Sequence, residues 1–409
     1  MNLDTKDYLR IAILALACIL LGVTLIVTNG RKIKTSPKDF KYRYNEIVCA
    51  HEGIDPFDIF ERKKDSEVFC SIPRPDKPQV DRNGRKPVHA YPAWHTAAFW
   101  WYGFVPQNVC IAIMACLNFF SFAWVIFWIR KTRKKDKTNI SSAEFFLFLL
   151  GMTLYPFFDL IISMNYGMLI LGCTLLLCTA LEQKHDVLAG IIFSFIMIKP
   201  QIGVLLLIPL FINRNYKTVV IAGAICLLET MFTAWKLDKS LIEMILQIPQ
   251  IGAPFPKGFF AEIAIKVFGS FGQYISMGAF AGLAVAGCFL VRDAKEIWIR
   301  FLPAIVFVPF WTYSQKHDWL VLLPVYFYLL DNRQKHQRLY SLCFCLLILR
   351  IVVSFFWLTN WYYLGKQGLA AVLHLGIVSI TCFIVILDNN KKWNDKYLEL
   401  KHKYGLLNK

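Results

Sequence analysis

A handful of polar positions stand out in a strongly apolar chain, because their types and settings suit the transfer of a group to a hydroxyl. Asp39 follows Ser36-Pro37-Lys38 directly after an apolar run. A carboxylate at that boundary can take the proton of an acceptor hydroxyl as it attacks a sugar carbon. It fits a plainer role as well: Ser at the N-cap, Pro at the first helical position and an acid at the third form a helix-start signature. Phe40, Tyr44, Ile47 and Val48 follow at helical spacing, and Gly53 is placed to end the helix. Arg43 lies on this helix and is read as a substrate-binding group.

Lys199 is flanked by apolar runs on both sides. An ammonium there is costly unless it meets an anion or water, and a lipid-linked phosphate would supply the charge. The alternative is snorkelling, with the ammonium reaching the interface past Pro200. Asn165, beside Tyr166 and Gly167 at the outer mouth of an apolar segment, offers an amide that either binds sugar hydroxyls or caps the entering helix. The short stretch YSQKHDW brings Tyr313, Gln315, Lys316, His317 and Asp318 together between two apolar segments. It reads either as a phosphate or proton-relay site, with Lys316 and His317 on donor phosphate and Gln315 on substrate, or as an ordinary polar turn. Tyr91 and Pro92 end a long irregular loop where it returns to apolar sequence, and Tyr91 is taken as substrate-binding. Trp94, Trp100, Trp101 and Tyr102 just beyond read as an aromatic belt at a membrane interface.

The elements that must position these residues follow from composition. Of 409 residues 56% are hydrophobic and only 18% charged, which a soluble fold of this length rarely shows and a chain of repeated apolar spans requires. The expected fold is an all-α polytopic membrane protein with about twelve transmembrane helices, at residues 8–28, 107–129, 143–157, 166–182, 187–198, 201–213, 217–235, 272–291, 299–313, 318–331, 340–358 and 368–388. Residues 1–409 read as one integral membrane domain, with the loop 29–106 inserted after the first helix and carrying the juxtamembrane helix. The run 11–28 resembles a signal peptide in position, but its length and the lack of an A-x-A site read as a retained span.

The net charge of +17 sits between apolar spans rather than on a face with stacking aromatics, so membrane lipids rather than nucleic acid are the expected partners. Arg and Lys concentrate at 130–137, 292–300 and 333–338, which by the positive-inside rule are cytoplasmic, as are both termini. The loop 29–106 then lies outside. The same count splits the ambiguous stretch 187–213 into two short helices, because a single crossing would send every later basic loop outward. The first of them, about 12 residues, rises only about 18 Å against a hydrocarbon core of about 30 Å, which leaves Lys199 below the outer surface. Cys49 and Cys70 share the long loop and form a disulfide if that loop faces an oxidising space. No metal-ligand spacing, Gly-rich phosphate loop, G-x-S-x-G or D-x-D pattern appears, so no cofactor or metal is expected, and any activated sugar must arrive through the lipid phase.

At these positions the chain resembles glycosyltransferase family 87, the polyprenyl-phosphate-dependent membrane enzymes of the GT-C class also described as a domain of unknown function. The motifs are KDFKYRYNEIVCAHEGIDPFD, YPAWHT, MNYGMLI, IKPQIGVLLLIPLF and YSQKHDWLVLLP, in that order. The resemblance implies a GT-C-like fold, Asp39 as the catalytic base, an Asn-x-Gly element at Asn165 and a phosphate-facing lysine at Lys199. Met168 stands where such proteins commonly carry Gln, and residues 61–86 look like an insertion. The implied activity is inverting transfer of one hexose, often mannose, from a polyprenyl-phosphate donor to a glycan or glycolipid acceptor outside the bacterial inner or plasma membrane. The rival classes are a transporter or flippase of lipid-linked saccharides, for which no internal repeat is visible, and a polymerase or ligase of preassembled chains.

Overall fold

The computed structural model describes residues 38–56, 91–132, 163–248, 259–311, 316–332, 335–343 and 364–390, with a few isolated positions beyond these. The expected spans at 8–28 and 143–157, the loop stretch 61–86 and part of the expected span at 340–358 lie outside the described residues. Among the described residues the chain is helical and contains no strand.

The helix announced after the first apolar run is α1 (Lys38–His51). It ends at Gly53, whose φ of 75° is left-handed. Ile54 N–H donates to the Cys49 carbonyl at 2.9 Å and Gly53 N–H to that of Ala50 at 3.1 Å. This is the paired closure that a left-handed residue after a helix makes possible. Its inner face buries Phe40 and Ile47, and Cys49 is held in a disulfide; Cys70, the partner expected for it, lies outside the described residues. The loop returns through α2 (Ala93–Ala98) and a 3-10 turn at Trp100–Phe104. Trp94 and Tyr102 are buried there, so that half of the expected aromatic belt is interior packing instead.

Next come α3 (Gln107–Thr132), α4 (Gly167–Glu182), α5 (Asp186–Ile196), α6 (Pro200–Ile212) and α7 (Tyr216–Lys236). The stretch 187–213 is therefore two helices. Pro200 opens α6, where its missing N–H costs nothing, and Lys199 before it adopts φ −105° and ψ 84°, away from helical values as a residue preceding proline prefers. The chain continues through α8 (Leu241–Leu246), α9 (Phe259–Phe268), α10 (Gly272–Leu290), α11 (Ile297–Trp311), a 3-10 turn at Lys316–Leu322, α12 (Leu323–Asp331) and α13 (Leu364–Asn389).

Three described stretches are long and apolar enough to cross a membrane: Gln107–Ile129, Tyr216–Lys236 and Phe260–Leu290. The last is not one straight rod, because the backbone turns at Gly269 with φ 64° and α9 packs against α10. The other expected spans include apolar helices of only 11 to 16 residues at α4, α5, α6 and α11. The expected span 318–331 is a 3-10 turn followed by the nine-residue α12. α12 is buried from Leu323 to Leu330, and α11 from Trp298 to Trp311. These two make the protein's centre, wrapped by helix rather than lipid, so neither needs the length of a lone span.

Contacts sort the helix ends into two groups. At one, Thr233 Oγ1 donates to the Ala93 carbonyl at 3.0 Å and Lys239 pairs with Asp55, so the end of α7 meets both ends of the first loop. At the other, Arg300 donates to Asn213 Oδ1 at 3.2 Å, Ile297 N–H to Glu182 at 3.3 Å and Asn390 to the Leu290 carbonyl at 3.0 Å. The basic stretch 292–300 thus shares one end with the ends of α4, α6 and α13.

Candidate active site

Four segments converge at the end built by the first loop. From α1, the Arg43 guanidinium donates to both Glu46 carboxylate oxygens at 2.6 and 2.5 Å and lies over the Tyr91 ring, 4.8 Å from its centroid. Asp39 occupies the first turn of α1. Four residues separate it from Arg43, which sets the two positions on one helical face. Tyr91 stacks on His95 at 4.4 Å and meets Tyr166 edge-on at 5.6 Å. The His95 ring is fully buried and shares a 3.1 Å hydrogen bond between Nε2 and the Tyr166 hydroxyl. Phe99 closes the cluster by stacking on Tyr166 at 4.9 Å. Four rings and a guanidinium therefore form one packed wall from α1 to the start of α4.

Asn165 and Tyr166 stand at that start. The N-cap position of α4 falls on Tyr166, which makes no side-chain cap hydrogen bond, so Asn165 stands one residue before the cap. The Asn165 backbone carbonyl accepts from Asn118 Nδ2 at 3.3 Å. Asn118 is the twelfth residue of α3, so Asn165 lies roughly 16 Å along that helix from its Gln107 end, at 1.5 Å per residue. The sequence reading put Asn165 at an outer mouth, whereas the short α4 begins deep beside α3. Met168, fully buried, follows immediately.

The Lys-Pro turn is fastened to the same wall. Trp94 Nε1 donates to the Met197 carbonyl at 2.9 Å, and Trp311 Nε1 to that of Gln201 at 2.6 Å. Lys199 does not snorkel: its side chain is 1% exposed, and its ammonium pairs with the Asp318 carboxylate, equally buried. Burying two charges is costly and holds only when each compensates the other. The turn carrying Lys316 and His317 is thereby brought to Lys199 through the next residue, Asp318. The side chains of Asp39, Lys316 and His317, and all of Gln315, lie outside the described set.

Sequence reasoning gave His95 and Tyr166 no role in the site and placed Asp318 only among the polar groups of its turn, although all three lie within the quoted motifs. For His95 the signal was available: it stands four positions after Tyr91, at helical spacing, on a helix that Pro92 opens. Among the described residues no cluster of His, Cys, Asp or Glu is arranged to hold a metal ion.

Helices long and apolar enough for a bilayer, with a polar cluster sunk among the described helix ends, give the chain the character of a membrane protein. The model of glycosyltransferase family 87 matches residues 89–242, a stretch that holds the motifs YPAWHT, MNYGMLI and IKPQIGVLLLIPLF. The matched segment includes Tyr91, His95, Asn165, Tyr166 and Lys199; Asp39 and Asp318 fall outside it. No curated protein and no solved structure matches the chain.

Proposed function

We propose that the protein is an inverting glycosyltransferase that moves one hexose from a polyprenyl-phosphate donor to a glycan or glycolipid acceptor on the extracytoplasmic side of a bacterial inner or plasma membrane. Asp39 is the base. It takes the acceptor's hydroxyl proton while the oxygen attacks the anomeric carbon from the face opposite the phosphate. The bond from that carbon to the phosphate oxygen breaks, and its electron pair leaves with polyprenyl phosphate. A phosphate leaving group needs no acid catalyst but does need its growing charge met, which falls to Lys199, with Lys316 and His317 beside it. Arg43, Tyr91, Asn165 and Gln315 bind the sugar and the acceptor.

One observation carries the reading. The α1 face bearing Asp39 and Arg43 reaches Tyr91, His95 and Tyr166 in unbroken contact, and Trp94 joins that wall to the carbonyl two residues before Lys199. The family 87 match over 89–242 supports sugar transfer. The disulfide at Cys49 supports an oxidising, external location for this end. The depth of Asn165 along α3 supports a donor that arrives from the bilayer, since its phosphate need not rise into water.

The test is Asp39→Asn in membranes supplied with labelled polyprenyl-phosphate hexose. Transfer should fall by roughly 100-fold or more at normal expression, the scale of a lost general base. Transfer at the parental rate would overturn the reading, and would leave open transport or flipping of lipid-linked saccharide, or polymerase or ligase action on preassembled chains.

A further inference from the structure

Resting on the donor class proposed above, we infer that Asp318 is an internal counter-anion that expels the spent lipid phosphate from Lys199. A phosphodiester donor carries a single negative charge. The polyprenyl phosphate left after transfer is a monoester with close to two at neutral pH. A cation that steadies the leaving group therefore binds the product more tightly than the donor, and the enzyme clogs unless something competes for that cation.

The structure holds such a competitor. The Asp318 carboxylate pairs directly with the Lys199 ammonium, both side chains 1% exposed. It occupies a place that a phosphate oxygen would take. The pair also links separate parts of the fold, with Lys199 at the break between α5 and α6 and Asp318 on the 3-10 turn that packs against α4. Indole N–H bonds from Trp94 to the Met197 carbonyl and from Trp311 to the Gln201 carbonyl fix the lysine's turn on both sides. When donor binds, phosphate replaces the carboxylate on Lys199. After transfer the carboxylate returns, and the ion pair reforms as polyprenyl phosphate departs. Asp318 touches neither the sugar nor the reacting atoms, so it is a positioning residue acting through Lys199.

The experiment compares the full-length parent with Asp318→Asn in nanodiscs, using a short-chain polyprenyl phosphate as ligand and its hexosyl ester as donor. The amide keeps the shape and removes the competing charge. Affinity for polyprenyl phosphate, measured directly without turnover, should rise on the order of tenfold, the scale of one charge-assisted contact. Donor KM should fall, kcat should fall with it, and product inhibition should deepen. A merely structural ion pair predicts lower thermal stability with unchanged product affinity per folded molecule. Unchanged or weakened affinity in Asp318→Asn overturns the proposal. Should that variant fail to fold, Asp318→Glu, which keeps the charge but displaces it by one methylene, decides: altered product affinity supports competition and parental affinity overturns it. The binding readout does not involve Asp39, so failure of that residue as base stays distinguishable. If the parent binds no polyprenyl phosphate at all, the donor class fails and this proposal with it.

Discussion

The indole N–H of Trp94 donates to the backbone carbonyl of Met197 at 2.9 Å, across 103 positions of chain. It ties the segment returning from the long loop to the turn that presents Lys199. Trp94→Phe keeps the ring and removes the donor, leaving a buried carbonyl short of a partner. Stability should fall by about 1 to 3 kcal/mol. If the bond also positions Lys199, donor KM should rise while acceptor KM holds. Thermal unfolding in detergent and steady-state kinetics of the same preparation check both.

The Lys199 and Asp318 pair should behave as a closed electrostatic unit in stability. Lys199→Met or Asp318→Leu alone strands a buried charge, at a cost of about 3 to 5 kcal/mol. The double variant removes both charges of the pair and should recover much of that stability, while transfer stays impaired because the Lys199 ammonium no longer faces the phosphate. A thermal-shift double-mutant cycle measures the coupling, and additive losses would show that the pair is not a unit.

Tyr102 sets an alkaline limit. Burial pushes its phenol well above the ordinary value, because the phenolate would lose its hydration. A group whose folded value is raised contributes stability that is fully present below its unfolded value, about pH 10, and is lost as pH rises through the folded value. Stability should thus be flat across neutral pH and decline above about 10, with Tyr102→Phe reducing that decline. Unfolding temperature measured from pH 7 to 11 in both proteins reads the difference.

Three helix ends are strained by choice of residue, with Asp238 after α7 at φ 51° and two at the opposite end. Lys184 after α4 and Arg214 after α6 adopt φ of 59° and 60°, each inside the same paired closure that Gly53 makes. A side chain in that region costs roughly 1 kcal/mol that glycine avoids. Lys184 and Arg214 both add positive charge to the end that the positive-inside rule assigns to the cytoplasm. Lys184→Gly and Arg214→Gly should each raise stability by about 0.5 to 1 kcal/mol once folded, and together should raise the fraction of inverted molecules, read by protease accessibility of a terminal tag.

What the sequence determined alone was whatever rests on local chemistry. Proline cannot donate a hydrogen bond or follow a helical residue easily, so the Lys199-Pro200 break was legible, as was the charge asymmetry that demanded it. Glycine tolerates a left-handed backbone, so the end of α1 at Gly53 was legible too. Apolar content announced helices for a bilayer, and the ordered motifs announced the family that matches over 89–242. Tertiary structure decided what depends on distance in the chain. No local pattern says that Asp318 meets a lysine 119 positions earlier, that His95 locks onto Tyr166, or that Asn165 lies deep beside α3. Span length misled for α11 and α12 because hydropathy registers apolar side chains without distinguishing lipid from protein as their surroundings. That distinction is made only when neighbouring helices close around a segment, burying it on all sides and freeing it from the length a lipid bilayer imposes.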